Sequence, residues 1–268
     1  MSASVHDYLR QRRSQRQKRK FYFFGSLAAT IVIAVFYFIF FSGIFTIRGI
    51  DVVGADVISV RDVQAVAAEF LSGKAFFVFP HENILLFSSS AAAERVREVF
   101  PRAASVSVEK NIWRRKAVVT IEERNPAGVA CVKGSDQCVY FDASGVVFAT
   151  APIIASASLL RIEESALDMA QFPQEKYAAE LVQFIMTAKK QMQEKAHATI
   201  VSFAFINGYG DIEARTQEGF TIFLNTAQGA EEQAQIIKNI IAAEIKDQMP
   251  LLEYIDLRVE NRAYYKLK

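Results

Sequence analysis

The side chains of this sequence that are typical of catalysis do not form a catalytic set. The run Ser88-Ser89-Ser90 is typical of a helix cap and lacks the Gly-x-Ser-x-Gly surroundings of a serine nucleophile. The adjacent carboxylates Glu122-Glu123 and Glu163-Glu164 point to opposite faces of an extended chain, so neither pair can share a proton. The three histidines have no ligand-like spacing. We therefore expect no enzyme activity, no metal, no cofactor and no small-molecule substrate.

The sequence has two cysteines, Cys131 and Cys138. Gly134-Ser135 lies midway between them and suits a two-residue type II′ hairpin turn, which would place the cysteines directly opposite each other. Two alternatives remain open at this stage, a disulfide bridge and a pair of reduced thiols. A structural zinc site is excluded because it requires four ligands.

The C-terminal segment has the pattern of a hairpin of two strands. Residues 254–260 alternate between apolar and polar side chains from Ile255, and residues 263–268 follow as a second strand. A terminal hairpin commonly forms a sheet edge, whose unpaired backbone groups can bind another chain. Tyr264 and Tyr265 add aromatic area of the kind enriched in interfaces. Lys266 and Lys268 fit either attraction of an acidic partner or an edge that is kept soluble and unpaired.

The elements that must position this edge begin with the N-terminus. Residues 1–20 carry seven basic side chains and one acidic side chain, and they have too little apolar surface to fold alone. Residues 21–42 are almost wholly apolar and long enough to span a membrane as a helix. A cleaved signal peptide fits less well, because its apolar part is about 7 to 15 residues long and ends in a small-x-small site. A buried core helix is disfavoured because no charged side chain interrupts the sequence between Phe21 and Arg48.

The charge distribution predicts the orientation of this segment. Basic residues are retained on the cytoplasmic side of a spanning helix, so we expect a single-pass protein of the cytoplasmic (inner) membrane with its N-terminus inside. Of 31 basic and 29 acidic residues, seven and one lie in the tail, so the remainder is mildly acidic. This balance argues against nucleic acid as a partner. The basic tail itself suits contact with anionic lipid.

About 220 residues beyond the membrane are expected to form two domains of α+β class. The first, residues 45–124, has the predicted order strand, helix, helix, strand, strand, with two helices covering one face of a three-stranded sheet. The second, residues 125–268, is predicted to be rich in β-strands with packed helices. Those helices are predicted over 174–195 and 230–248.

Six short motifs, in order along nearly the whole chain, resemble the FtsQ/DivIB family of bacterial cell-division proteins. They lie at residues 47–54, 100–110, 123–127, 140–148, 218–224 and 254–258. The family plan is a basic tail, one spanning helix, a small POTRA domain and a β-rich domain. Three features depart from the family pattern: Ala127 follows Pro126 directly, residues 111–116 have no proline, and Val259 stands where an aromatic residue is frequent.

The resemblance implies a non-enzymatic scaffold at the division septum. Such a protein binds the small membrane proteins FtsB and FtsL, and the partner adds a strand to the terminal sheet edge. The residues that the resemblance and the edge pattern assign to partner binding are Arg258, Ala263, Tyr264, Tyr265, Lys266 and Leu267.

Two other functions remain alternatives at this stage. A membrane-tethered extracytoplasmic hydrolase would assemble its site from distant residues and would have a deep pocket lined by carboxylates with shifted pKa values. A POTRA-containing secretion or assembly accessory protein would usually carry a β-barrel or repeated POTRA units, and this length accommodates neither.

Overall fold

The computed structural model describes residues 3–41, 43–72, 74–75, 79–80, 83–152, 159–169, 172–206, 208, 210–260 and 262–268. The protein has one apolar N-terminal helix and a large β-sheet, so the predicted α+β class is confirmed. Two compact units make up the chain: Met1–Phe100 with Ser105–Glu122, and Pro101–Ala104 with Glu123–Lys268. Residue 42, the predicted end of the spanning segment, and Asn261, in the predicted terminal turn, lie outside the described residues.

The N-terminal helix α1 runs over Ala3–Phe41. Among the described residues, Phe21–Phe45 is the stretch long and apolar enough to cross a membrane, and the most apolar 18-residue segment within it has no buried residue. A helix that exposes apolar side chains on all sides suits a bilayer, which argues against the alternative of a buried core helix. The basic tail, expected not to fold alone, continues this helix back to Ala3. Arg, Gln and Lys are good helix formers, and extension of an existing helix avoids the cost of nucleation.

The first unit contains a three-stranded sheet in the order β1-β5-β4. Strand β1 (Gly49–Val53) is parallel to β5 (Lys116–Glu123), and β4 (Ala103–Asn111) lies on the other side of β5. Alternate residues of β5 are buried, which is the period expected of a strand with one covered face.

Two helices follow β1 along the chain. Helix α2 (Val60–Ser72) buries Val63, Ala67 and Leu71, which are spaced four residues apart on one face. Helix α3 (Ser89–Val99) is capped by Ser88, whose hydroxyl accepts a hydrogen bond from the Ala91 N–H. The predicted capping role of the serine run is therefore confirmed. A short pair of strands, β2 (Lys74–Ala75) and β3 (Phe79–Pro80), lies between the helices and was not predicted.

The second unit is built on a ten-stranded sheet in the order β10-β8-β7-β6-β9-β11-β12-β13-β14-β15. The strands are β6 (Pro126–Val132), β7 (Cys138–Asp142), β8 (Val146–Ala151), β9 (Leu160–Glu164), β10 (Gln174–Glu175), β11 (Ile200–Phe205), β12 (Asp211–Thr216), β13 (Thr221–Asn225), β14 (Leu252–Asp256) and β15 (Tyr264–Leu267). Most neighbouring strands are antiparallel, but β9 pairs in parallel with both of its neighbours and β13 pairs in parallel with β14.

Two helices supply the apolar side chains that pack against the core side of this sheet. Helix α4 (Ala179–Ala196) buries Val182, Ile185 and Met192, and α5 (Ala230–Ile240) buries Ala234 and Ile237. These side chains belong to the same core cluster as alternate residues of the central strands. The opposite face of β12, β13 and β14 carries the intervening, partly exposed residues.

The two predicted helices of this unit were too long. Residues 174 and 175 are not helical, because they pair with Val147 and Val146 and form β10. Helix α5 ends at Ile240, where the chain changes to a π-helical turn, Ile241–Ile245, and then to a 3₁₀ segment, Lys246–Leu251, that contains Pro250. The sequence pattern extended this helix to Gln248 because its apolar stripe continues to Ile245.

Candidate functional site

Strand β15, at the C-terminus, ends the order of the ten described strands and pairs with β14. Tyr264, Tyr265 and Lys266 lie opposite Asp256, Ile255 and Tyr254, and Leu267 lies opposite Leu252. Glu253 is the extra residue of a bulge in β14. The antiparallel hairpin predicted from the sequence therefore forms the last two strands of the sheet.

The backbone of β15 presents hydrogen-bonding groups away from the sheet. The N–H of Lys268 donates to the carbonyl oxygen of Leu251 at 2.7 Å, so the backbone N–H and C=O groups of Lys268 face β14. Successive residues of an antiparallel strand turn their backbone groups to alternate sides. The backbone groups of Lys266 and Tyr264 therefore also face β14, whereas the N–H and C=O groups of Tyr265 and Leu267 point outward, to the side on which no described strand pairs with β15.

The side chains of β15 divide between the two faces of the sheet. Directly opposite residues of an antiparallel pair share a face, so Tyr265 lies on the side of the buried Ile255, whereas Tyr264 lies on the opposite side with Asp256. Both rings are accessible, with 47% of Tyr264 and 39% of Tyr265 exposed. A strand that paired with β15 would therefore lie beside one tyrosine ring on each face of the sheet.

Lys266 forms an ion pair within the hairpin. Its Nζ lies 2.7 Å from Oε2 of Glu253, and the hydrogen bond to Glu253 raises the pKa of Lys266. Both side chains are exposed, and exposed ion pairs contribute little to stability. A partner with its own carboxylate can therefore replace Glu253 at small cost.

Arg258 lies beyond β14 and its guanidinium is held by neighbouring groups. It forms a bidentate pair with Asp256, with Nε to Oδ1 at 2.9 Å and Nη2 to Oδ2 at 2.6 Å. These hydrogen bonds raise the pKa of Arg258 and lower the pKa of Asp256, which partial burial opposes. The guanidinium also lies 4.7 Å from the centre of the Phe223 ring.

The six predicted partner-binding residues thus come together in one hairpin, but they differ in accessibility. Tyr264, Tyr265 and Lys266 are exposed, whereas Ala263 and Leu267 pack partly against the core. Arg258 is one-third exposed and paired with Asp256. Side-chain contacts from a partner would reach the first three most easily.

The sequence reasoning missed an aromatic pair beside this hairpin. Phe223 and Tyr254 lie edge to face with ring centres 5.9 Å apart, on the partly exposed face of β13 and β14. Tyr254 lies opposite Lys266 and Phe223 underlies Arg258. The alternation of residues 221–225 places Phe223 on the polar face, but only the pairing of β13 with β14 shows that it joins Tyr254.

The two cysteines are joined by a disulfide, so of the two alternatives left open by the sequence the structure has the bridge. Cys131 and Cys138 lie directly opposite each other, but the predicted type II′ turn is wrong. The N–H of Ser135 donates to the carbonyl of Val132, which places Gly134, with φ of +76°, third in the turn. That position of a type II turn favours glycine because φ is positive there.

The first unit contains an open hollow of about 600 Å³ beside β1 and α2. The carboxylate that lines it is Asp51, and Lys116 lies 2.8 Å from this group. Asp142 and Asp256 do not line this hollow, and the pKa of each lies below its ordinary value. Across the described part of the chain, no three His, Cys, Asp or Glu side chains cluster as metal ligands would.

The chain matches no protein-family model and no curated protein sequence.

Proposed function

We propose that this chain is a membrane-anchored scaffold protein of bacterial cell division, similar to FtsQ/DivIB, that docks small membrane proteins of the FtsB and FtsL kind. The observation that carries the proposal is the geometry of β15, which presents the backbone groups of Tyr265 and Leu267 outward at the sheet edge. A partner segment would add a strand there.

The backbone groups alone would give modest affinity. Two N–H and two C=O groups point outward, and each hydrogen bond contributes about 1 kcal/mol net. Burial of apolar surface adds about 25 cal/mol per Å², so the accessible rings of Tyr264 and Tyr265 supply the remainder. The backbone would fix the direction of the partner strand, and the tyrosines and Lys266 would select its sequence.

The arrangement of the first unit supports the POTRA part of the proposal. Its strand order β1-β5-β4, with β1 parallel to β5 and helices α2 and α3 between β1 and β4 along the chain, is compatible with a POTRA-type domain. The apolar part of α1, which begins at Phe21, would anchor this unit, with the basic tail inside the cell and both units outside.

Imaging of a fluorescent fusion in dividing cells of the host tests the proposed function. The full chain is expected to accumulate at midcell, and a variant without residues 263–268 is expected to lose co-purification with FtsB-like and FtsL-like proteins. Protease added to spheroplasts should digest the part after Arg48. A uniform membrane signal together with unchanged co-purification would contradict the proposal.

A further inference from the structure

The connection between β4 and β5 exposes an unusual set of side chains. Trp113, the one tryptophan of the sequence, is 98% exposed, and the neighbouring Ile112 is 47% exposed. Arg114 is exposed beside them, and residues 109–116 contain a single acid, Glu109, against four basic residues. We call Ile112, Trp113 and Arg114 the hairpin tip. Large apolar groups exposed beside basic ones mark an interaction surface.

The tip is connected to the end of the apolar N-terminal stretch by hydrogen bonds within the first unit. The N–H of Arg48 donates to the carbonyl of Arg115 at 2.7 Å, and Nη1 of Arg115 donates to the carbonyl of Ile44 at 3.4 Å. Ile44 belongs to the membrane-length stretch Phe21–Phe45 and is itself 51% exposed. The tip therefore lies where this stretch would leave the hydrocarbon layer.

The turn that carries the tip has a defined conformation. The N–H of Arg114 donates to Oδ1 of Asn111 at 3.0 Å, and the N–H of Arg115 donates to the carbonyl of Ile112 at 3.2 Å. Lys110 points back, with its Nζ 4.6 Å from the centre of the Phe87 ring. These contacts fix the backbone on both sides of Trp113, so its exposure follows from the turn.

We infer that the hairpin tip inserts into the headgroup layer of the bilayer that the N-terminal helix spans. Tryptophan favours this layer because its ring is apolar while its N–H can hydrogen-bond to water or lipid. Arg114 is placed to bind a lipid phosphate, and Ile112 reaches the acyl boundary. The tip thereby provides a second attachment, which limits rotation of the first unit about the spanning helix.

This inference rests on the membrane anchor of the proposed function and does not depend on β15 or on cell division. The membrane anchor and the insertion of the tip can be tested separately in the same preparation. Co-flotation of the full chain with phosphatidylcholine and phosphatidylglycerol vesicles tests the anchor, whereas the fluorescence of Trp113 tests the tip. Because the sequence has a single tryptophan, all of the indole signal comes from this position.

The experiment compares vesicles whose lipids are brominated near the headgroup end of the acyl chain with vesicles brominated near its terminal methyl. For the full chain we expect Trp113 emission at shorter wavelength than that of an indole in water, strong quenching by the shallow bromines and weaker quenching by the deep ones. Iodide in the buffer should quench little.

The matched control moves the tryptophan along the same sheet. In the parallel pair of β1 and β5, Thr120 lies beside Val53, whereas Lys116, next to the tip, lies beside Gly49. Four residues of strand separate the two positions by about 13 Å. Thr120 is exposed. In the double variant Trp113→Phe, Thr120→Trp, the fluorescence of the tryptophan introduced there should be quenched weakly by bromine and strongly by iodide.

The charge of the tip is tested with two exposed arginines of the first unit. Arg114→Glu should shift Trp113 emission to longer wavelength and reduce bromine quenching, and Arg61→Glu, with the same change in net charge, should leave both unchanged. If Trp113 in co-floating protein is as accessible to iodide as Thr120→Trp and no more quenched by bromine, the inference is wrong. An equal effect of the two Arg→Glu variants would exclude a specific role of Arg114.

Discussion

Arg124 donates a hydrogen bond from Nη1 to Oδ2 of Asp142 at 2.6 Å, and both side chains are largely buried. The other carboxylate oxygen of Asp142 accepts hydrogen bonds from the Ser144 hydroxyl and from the N–H groups of Ser144 and Val146. One carboxylate thus closes the turn between β7 and β8 and also holds Arg124, which lies two residues before β6. Two short motifs of the sequence are therefore parts of one structural feature.

We expect Asp142→Ala to lower the free energy of unfolding by about 3 kcal/mol, because it removes the carboxylate partner of a largely buried guanidinium and leaves two backbone N–H groups without their acceptor. Thermal unfolding of the full chain in detergent, followed by circular dichroism, measures this change. Asp136→Ala, in the exposed loop between β7 and β6, is the control and should change it by less than about 0.5 kcal/mol. Equal midpoints for the two variants would contradict the assigned role.

Acid should weaken the same feature. Burial raises the pKa of Asp142, but hydrogen bonds from Ser144, Arg124 and Val146 together lower it below the ordinary value of about 3.9. The unfolded state then binds more protons, so this stabilisation is complete well above pH 4 and is lost as the pH falls through and below about 3.9. Urea unfolding from neutral to acidic pH should therefore show a steeper loss for the wild type than for Asp142→Asn. Parallel pH profiles would exclude this contribution.

The disulfide should stabilise the second unit. Cys131 and Cys138 have a sequence separation of 7, and closing so short a loop in the unfolded chain corresponds to about 2.5 kcal/mol. Cys131→Ala, Cys138→Ala should lower the urea midpoint accordingly, and the buried sulfurs of the wild type should resist reductant under native conditions. Addition of reductant during unfolding should lower the wild-type midpoint and leave that of the double variant unchanged. A double variant as stable as the oxidised wild type would disprove this contribution.

The spacing of apolar residues in the sequence predicted most of the helices and strands in which those same residues are buried. Helix α2 follows the stripe of Val63, Ala67 and Leu71, and the terminal hairpin is present, but its first strand is Leu252–Asp256 and not residues 254–260 as the alternation predicted. Errors arose where pairing between distant segments overrides local preference. Gln174 and Glu175 fit a helix by pattern, yet they pair with β8, and Ala178 offers no side-chain cap that would mark the later start of α4.

The candidate site was only partly predictable for the same reason. The sequence identified the accessible tyrosines of the terminal strand, but an alternating strand does not reveal which backbone groups face its neighbour. The sequence alone predicts that a proline at Lys266 blocks partner binding at the edge. The hydrogen bond of Lys268 to Leu251 shows that Lys266 faces β14, so that proline would disrupt the hairpin itself. The sequence likewise offered no sign that Trp113 is exposed, because it lies in a connection that is largely polar.

The claim that a partner strand adds to β15 is tested most directly by comparing Tyr265→Pro with Tyr265→Ala. Both variants lack the ring, but proline alone lacks the outward N–H, and an outward position at a sheet edge tolerates proline. Co-purification with a co-expressed FtsB-like protein is the measurement, with circular dichroism to show that both variants fold. We predict that Tyr265→Ala retains weakened binding and that Tyr265→Pro loses it. Equal binding of the two folded variants would contradict strand addition at β15.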